Sequence, residues 1–218
     1  MTAHIKSIRR KLVEMHYRAN TGHLGSSLSI VEMLAHLYDG VIRPQDVFIL
    51  SKGHAASALY ATLHEFGHIT NDQLETYFKP GTHLAIHPDS GWTDHIRFST
   101  GSLGHGLSLA AGVAYAEKHL KKSDVMTYCM ISDGEWEEGQ TKEALEFITD
   151  QHIGDRLMIM IDNNGSQGFR YKEHFKNFPI EVTRTTIGHG ISFLEGELSS
   201  HYLPLTEEQY KQALKELE

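Results

Sequence analysis

Apolar residues recur along this chain with two different periods. Ile5, Ile8, Leu12 and Met15 fall on one face at helical spacing and predict an amphipathic helix from about residue 4 to 19. A glycine-containing loop follows, Asn20-Thr21-Gly22-His23-Leu24-Gly25-Ser26-Ser27. Beyond it, Ser29 and Glu32 have the spacing of a capping box and predict a second helix ending near Asp39-Gly40. Val47–Leu50, Val125–Ile131 and Leu157–Ile161 are continuous apolar runs of strand length, as expected of strands buried on both faces. Helical patterns alternate with them: an Ala/Leu-rich stretch stopped by Gly67, then Leu107 to about Leu120, then Thr141 to about Gln151. Residues 79–100 lack periodicity and predict a long irregular segment, which is uncommon unless it serves a site. At the C-terminus Thr206 and Gln209 predict another capping box, with Tyr210, Ala213, Leu214 and Leu217 on one face.

Strand, turn and helix in alternation predict an α/β fold: a mostly parallel sheet with helices on both faces. With no repeats or linker-like stretches, residues 1–218 are expected to form a single domain. Composition adds exclusions. The formal net charge is -8, which argues against nucleic-acid or anionic-membrane partners. No apolar run approaches a membrane span and the N-terminus lacks a signal-like apolar region, so a soluble protein is expected. The single cysteine, Cys129, fits a reducing, cytoplasmic setting. The 16 histidines are unusual, and only their positions can tell which of them carry chemistry.

The strongest chemical signal is Ser132-Asp133-Gly134-Glu135-Trp136-Glu137-Glu138-Gly139 with Asp162-Asn163-Asn164-Gly165. Each block directly follows a predicted buried strand. In a parallel sheet both emerge at the C-terminal edge, where α/β folds bind ligands. There Asp133 and Asn163 can converge as oxygen ligands on one hard cation. Gly134 allows close approach of a phosphate, with a helix N-terminus behind it. Glu135 and Glu137 read as a solvated acidic face. A competing pattern, His64-Glu65-Phe66-Gly67-His68, matches the zincin signature, but Gly67 is expected to end the helix and move His68 off the ligand face.

The two blocks resemble the thiamine diphosphate motif, and four further blocks resemble transketolases in their order along the chain. These are Thr21-Gly22-His23-Leu24-Gly25, Ser51-Lys52-Gly53-His54-Ala55, Ile86-His87-Pro88 and Thr100-Gly101-Ser102-Leu103-Gly104-His105-Gly106. Thr185-Thr186-Ile187-Gly188-His189-Gly190 is similar to the family's later strand. The resemblance runs from about residue 5 to 168 and again from about 184 to the end. It implies the diphosphate-binding (PP-type) domain of a transketolase, with thiamine diphosphate and Mg2+ (or Ca2+/Mn2+) as cofactors. It implies Asp133, Asn163 and the Gly165 carbonyl as metal ligands. Gly134 would sit against the diphosphate, and Gly101 and Leu103 against the aminopyrimidine and thiazolium. His54 and His201 would reach diphosphate oxygens or substrate, and His23 and His87 would line the sugar channel. Glu138 would lie at the interface with a partner domain.

Three departures from the family pattern shape the expectation. Ser132 stands where glycine is usual. The stretch between Gly168 and Arg184 is short, so the domain is trimmed after residue 168. The chain stops where a full-length transketolase continues into its pyrimidine-binding domain. The expected protein is therefore the N-terminal subunit of a split transketolase. It would transfer a two-carbon ketol unit from a ketose phosphate to an aldose phosphate, with a separate C-terminal subunit in a heterotetramer. Two alternatives stand beside it: the same chemistry with a non-pentose-pathway donor or acceptor, and a catalytically silent cofactor-binding or scaffold subunit.

Overall fold

The computed structural model describes residues 2–165 and 178–218. In chain order its helices are α1 (Ala3–Ala19), α2 (Leu24–Leu28), α3 (Val31–His36), α4 (Ala56–Glu65), α5 (Asn71–Leu74), α6 (His105–Tyr115), α7 (Asp133–Trp136), α8 (Gly139–Asp150), α9 (Ser199–Tyr202) and α10 (Glu207–Glu216). Its strands are β1 (Val47–Leu50), β2 (Thr127–Ser132), β3 (Leu157–Asn163) and β4 (Ile180–Arg184). These elements fall into two compact units. One comprises Met1–Ile42, His54–Asp89 and Thr185–Glu218; the other comprises Arg43–Gly53 and Ser90–Arg184.

The first unit is helical. Thr2 caps α1 by accepting from the Ile5 amide, and Asn20 ends it in the left-handed conformation. Ile8, Leu12 and Met15 form the buried stripe of α1, which packs on α4 and α10. Tyr17 of α1 stacks on Tyr210 of α10 with ring centroids 4.0 Å apart. The Thr206–Gln209 capping box opens α10 as the sequence predicts. The Ser29 box does not form. The chain makes two short helices here, α2 and α3, and the Ser29 hydroxyl donates to the Ser26 carbonyl instead. Glu32 accepts from the buried Arg9 guanidinium at 2.6 Å, a partner invisible to local spacing.

The second unit holds the sheet, in the order β1-β2-β3-β4 with all neighbours parallel. Val47, Ile49, Cys129, Ile131, Ile159 and Ile161 face one core, shared with α6 and α8. The alternate positions Phe48, Leu50, Met130 and Met160 are buried as well. Burial on both faces is why these strands read as continuous apolar runs rather than alternating ones. Between Leu74 and His105 the chain has neither helix nor strand, in agreement with the irregular segment expected at 79–100. The later strand ends at Arg184, so Thr185–Gly190 follows it as a turn instead of forming it. The trimming expected after residue 168 begins outside the described residues, although β4 pairs with β3 without a further strand between them.

Candidate functional site

The second unit carries the Asp133 and Asn163 blocks. Ser132, the last residue of β2, pairs in register with Asp162 of β3, so Asp133 and Asn163 leave adjacent parallel strands at the same C-terminal edge. Asp133 is 1 % exposed, and its Oδ1 accepts from the Gly134 amide at 2.9 Å. Asn163 is half-buried and ends β3. Gly165 follows with φ +78, a left-handed turn that glycine tolerates at no steric cost. A carboxylate, a side-chain amide oxygen and a backbone carbonyl are donor types that a hard divalent cation takes.

Glycines bring the neighbouring turns together. A Cβ on Gly53 would sit 2.8 Å from the Gly101 backbone, and one on Gly106 would sit 2.4 Å from Ser51 Cβ. The Thr100 hydroxyl donates to the Leu50 carbonyl, fixing the start of the Gly101 turn against the end of β1. Leu103 is exposed at the tip of that turn. Glu138 is also exposed, at the N-cap of α8, and its Cβ lies beside Gly104.

Glu137 is exposed, as a solvated face requires, but Glu135 is not: its side chain is buried at 0 % exposure. Its carboxylate accepts from Ser51 Oγ, the Gly104 amide at 3.0 Å and the Ser132 amide at 2.8 Å. Burial pushes the Glu135 carboxyl up, against hydrogen bonds that favour its charged form. Lys52 is equally hidden, donating to Asp162 Oδ2 at 2.6 Å. Neither role is signalled by composition or periodicity. Only the Ser-Lys-Gly-His block, which adjoins the Gly101 turn in space, hinted at Lys52.

The first unit gathers three of the four expected histidines. The rings of His23, His54 and His201 form a triangle with centroid separations of 5.5, 5.0 and 5.2 Å. His23 takes the left-handed conformation at φ +68, and its amide donates to the His201 carbonyl at 2.9 Å. Ser26 Oγ lies 2.6 Å from His201 Nδ1 and orients that ring. The glycines of the first loop permit the approach: a Cβ on Gly22 would meet the Tyr202 carbonyl at 2.5 Å, and one on Gly25 would meet Ser200 Oγ at 2.1 Å. The Gly188 amide donates to the Gly25 carbonyl at 3.0 Å, which ties Thr185–Gly190 to the same loop. His87 is exposed on the loop after α5, with its carbonyl accepting from the Tyr60 hydroxyl at 3.2 Å.

Beneath His23 lies a buried polar chain that the sequence did not reveal. His16 Nε2 meets Ser57 Oγ at 2.8 Å, Ser57 meets Ser27 Oγ at 2.7 Å, and Ser27 donates to the His23 carbonyl at 3.1 Å. Burial pushes the His16 ring down to about 4. The zincin-like segment behaves as its glycine predicts. α4 ends at Glu65, Gly67 has φ +79 and His68 lies beyond the helix, while Glu65 accepts from Ser7 Oγ. Among the described residues no three His, Cys, Asp or Glu side chains gather as a metal-binding group.

Residues 1–167 match the family model described as transketolase, thiamine diphosphate binding domain. The chain belongs to the transketolase family. A thiamine diphosphate-dependent transferase role follows from that membership. Among curated transketolase relatives, it is 32% identical to a subunit of the apulose-4-phosphate transketolase of Phocaeicola vulgatus, covering 96% of this chain and 90% of that one. It is 34% identical to the SqwG subunit of the 6-deoxy-6-sulfo-D-fructose transketolase of Clostridium sp., covering 97% and 94%. Among solved transketolases, that of Leishmania mexicana superposes with a TM-score of 0.86 at 25% identity, covering all of this chain and 41% of that one. The match thus spans nearly the whole of the subunit-type relatives and less than half of the solved transketolase.

Proposed function

We propose that this chain is the cofactor-binding, N-terminal subunit of a two-chain transketolase that moves a two-carbon ketol unit from a ketose to an aldose. The observation that carries the reading is the exit of Asp133 and Asn163 from adjacent parallel strands within the region matched to the thiamine diphosphate-binding domain. Asp133, Asn163 and the Gly165 carbonyl would hold a hard divalent cation, Mg2+ or else Ca2+ or Mn2+. Gly134 would lie against the diphosphate, and Gly101 and Leu103 against the cofactor's two rings. When bound, thiamine diphosphate supplies an electron sink for a carbanion that water cannot stabilise. The protein's own work is orientation and proton exchange. His23, His54, His87 and His201 would hydrogen-bond sugar hydroxyls or phosphate oxygens and move protons near neutral pH. Ser26 supports that role by orienting His201, and the Ser27 hydroxyl supports it by holding the His23 carbonyl.

Glu138, exposed at the head of α8, is offered to a separate subunit carrying the pyrimidine-binding domain, in a heterotetramer with two copies of each chain. The naming of both relatives as subunits supports a separate partner, and the burial of the lone Cys129 suits a cytoplasmic setting. A second reading concerns substrate. The relatives are named for apulose-4-phosphate and for 6-deoxy-6-sulfo-D-fructose, so a donor outside the common pentose phosphates is a specific alternative.

Calorimetric titration of thiamine diphosphate with magnesium into the chain, alone and with a pyrimidine-domain subunit, tests the proposal. Weak binding alone and tight binding with the partner is the expected result. No binding in either case would leave a silent scaffold as the better description. A donor panel on the reconstituted pair then separates the two substrate readings.

A further inference from the structure

Glu135 stands in an acidic run yet spends its whole carboxylate on backbone and hydroxyl donors of its own unit. Oε1 accepts from Ser51 Oγ and from the Gly104 amide at 3.0 Å. Oε2 accepts from the Ser132 amide at 2.8 Å and lies 3.1 Å from Ser132 Oγ. The bonds extend outward from there. Ser51 Oγ accepts from the Gly106 amide at 3.0 Å, and the Glu135 carbonyl accepts from Thr141 Oγ1 at 2.6 Å. One side chain therefore ties together three turns: that after β1, the Gly101–Gly106 turn and that after β2.

The Thr100 hydroxyl also holds the Gly101 turn to the end of β1, and Lys52 holds the turn after β1 to Asp162 of β3. The Gly53 and Gly101 backbones approach too closely for a side chain between them, and Gly106 leaves room only for the Ser51 side chain. Register among such turns must come from directional bonds to peptide groups. Glu135 supplies them, with both oxygens used as acceptors.

We infer that Glu135 is the positioning residue of the cofactor site, holding the Gly101–Gly104 turn in register with the Asp133 turn while touching neither cofactor nor metal. The inference rests on the cofactor assignment proposed above. It makes a distinction that simple packing does not. Glutamine has the volume of glutamate, but its amide nitrogen would face a pair of donors. A residue that only fills space would tolerate Glu135→Gln; one that fixes register through two acceptor atoms would not.

The test uses the full chain and two readouts. Amide hydrogen exchange without cofactor compares Gly101–Gly106 with the β3 strand. In Glu135→Gln the turn is expected to exchange about tenfold faster or more, as loss of buried acceptors predicts, with β3 protection retained. Titration of thiamine diphosphate with magnesium chloride is expected to show affinity about tenfold weaker or worse. Should Glu135→Gln fail to fold, Ser51→Ala removes one of the donors alone and is expected to move both readouts the same way by less. Unchanged exchange across Gly101–Gly106 in the variants overturns the inference. So does unchanged affinity when the unaltered chain binds. If the unaltered chain binds no thiamine diphosphate even with a partner subunit, the cofactor reading itself fails, and Glu135's role in the cofactor site falls with it. Faster exchange would then show only that the residue holds the turn.

Discussion

Lys52 Nζ donates to Asp162 Oδ2 at 2.6 Å with both side chains almost wholly buried, 1 % and 0 % exposed. Asn164 Nδ2 also donates to that oxygen at 3.1 Å. The pair links the turn after β1 to the end of β3, one residue before Asn163. A charge so placed is tolerable only while its partner is present, because water cannot replace it. Lys52→Met is expected to destabilise the chain by about 3–5 kcal/mol, and Lys52→Met with Asp162→Leu to recover most of that. Urea unfolding of the single and double variants measures both. A single variant as stable as the parent would mean that the pair contributes nothing.

Asp133 is the one anionic member of the proposed cation set. Asp133→Ala is expected to abolish magnesium-dependent binding of thiamine diphosphate, since the neutral donors that remain hold a hard cation poorly. Calorimetry with and without magnesium decides this. An unchanged affinity would remove Asp133 from the site.

His87 is exposed, and its proposed contact is to sugar rather than cofactor. His87→Ala is expected to leave cofactor affinity unchanged. Turnover of the reconstituted enzyme should drop about a hundredfold or more if its ring takes part in proton exchange. Weaker cofactor binding instead would overturn the division between cofactor and substrate histidines.

His16 makes stability depend on pH. Its ring is held neutral by burial, with Thr21, Ser57, Tyr77 and His23 facing it. The folded value of about 4 lies below the ordinary 6.5, so between the two the unfolded chain binds a proton that the folded chain does not. The stabilising contribution is therefore full above pH 6.5. It declines as pH falls toward 4, by on the order of 3 kcal/mol in total. Chemical denaturation at pH 7.5 and pH 5 is expected to show this slope in the parent and a shallower one in His16→Asn. Equal slopes would assign the acid sensitivity to other groups.

Much of the fold was legible because it is written locally. Buried parallel strands need uninterrupted apolar runs, and β1, β2 and β3 appear where those runs stand. The box at Thr206 formed because its bonds lie within one turn of helix, whereas the one at Ser29 did not, since Arg9 from another helix takes Glu32. Hydrogen bonds between distant segments leave no period in the sequence.

The same contrast divides the site. By itself the sequence determined the α/β alternation, the oxygen donors after two successive strands and the glycines that let backbones meet. Those features depend on residue type and spacing, which chain order preserves. Only the tertiary structure decided that His23, His54 and His201 share one cluster, that Lys52 is paired inside the protein, and that Glu135 is buried while Glu137 beside it is not. An acidic residue reads as solvated until donors from three separate turns converge on it, and convergence is a property of folding rather than of any single segment.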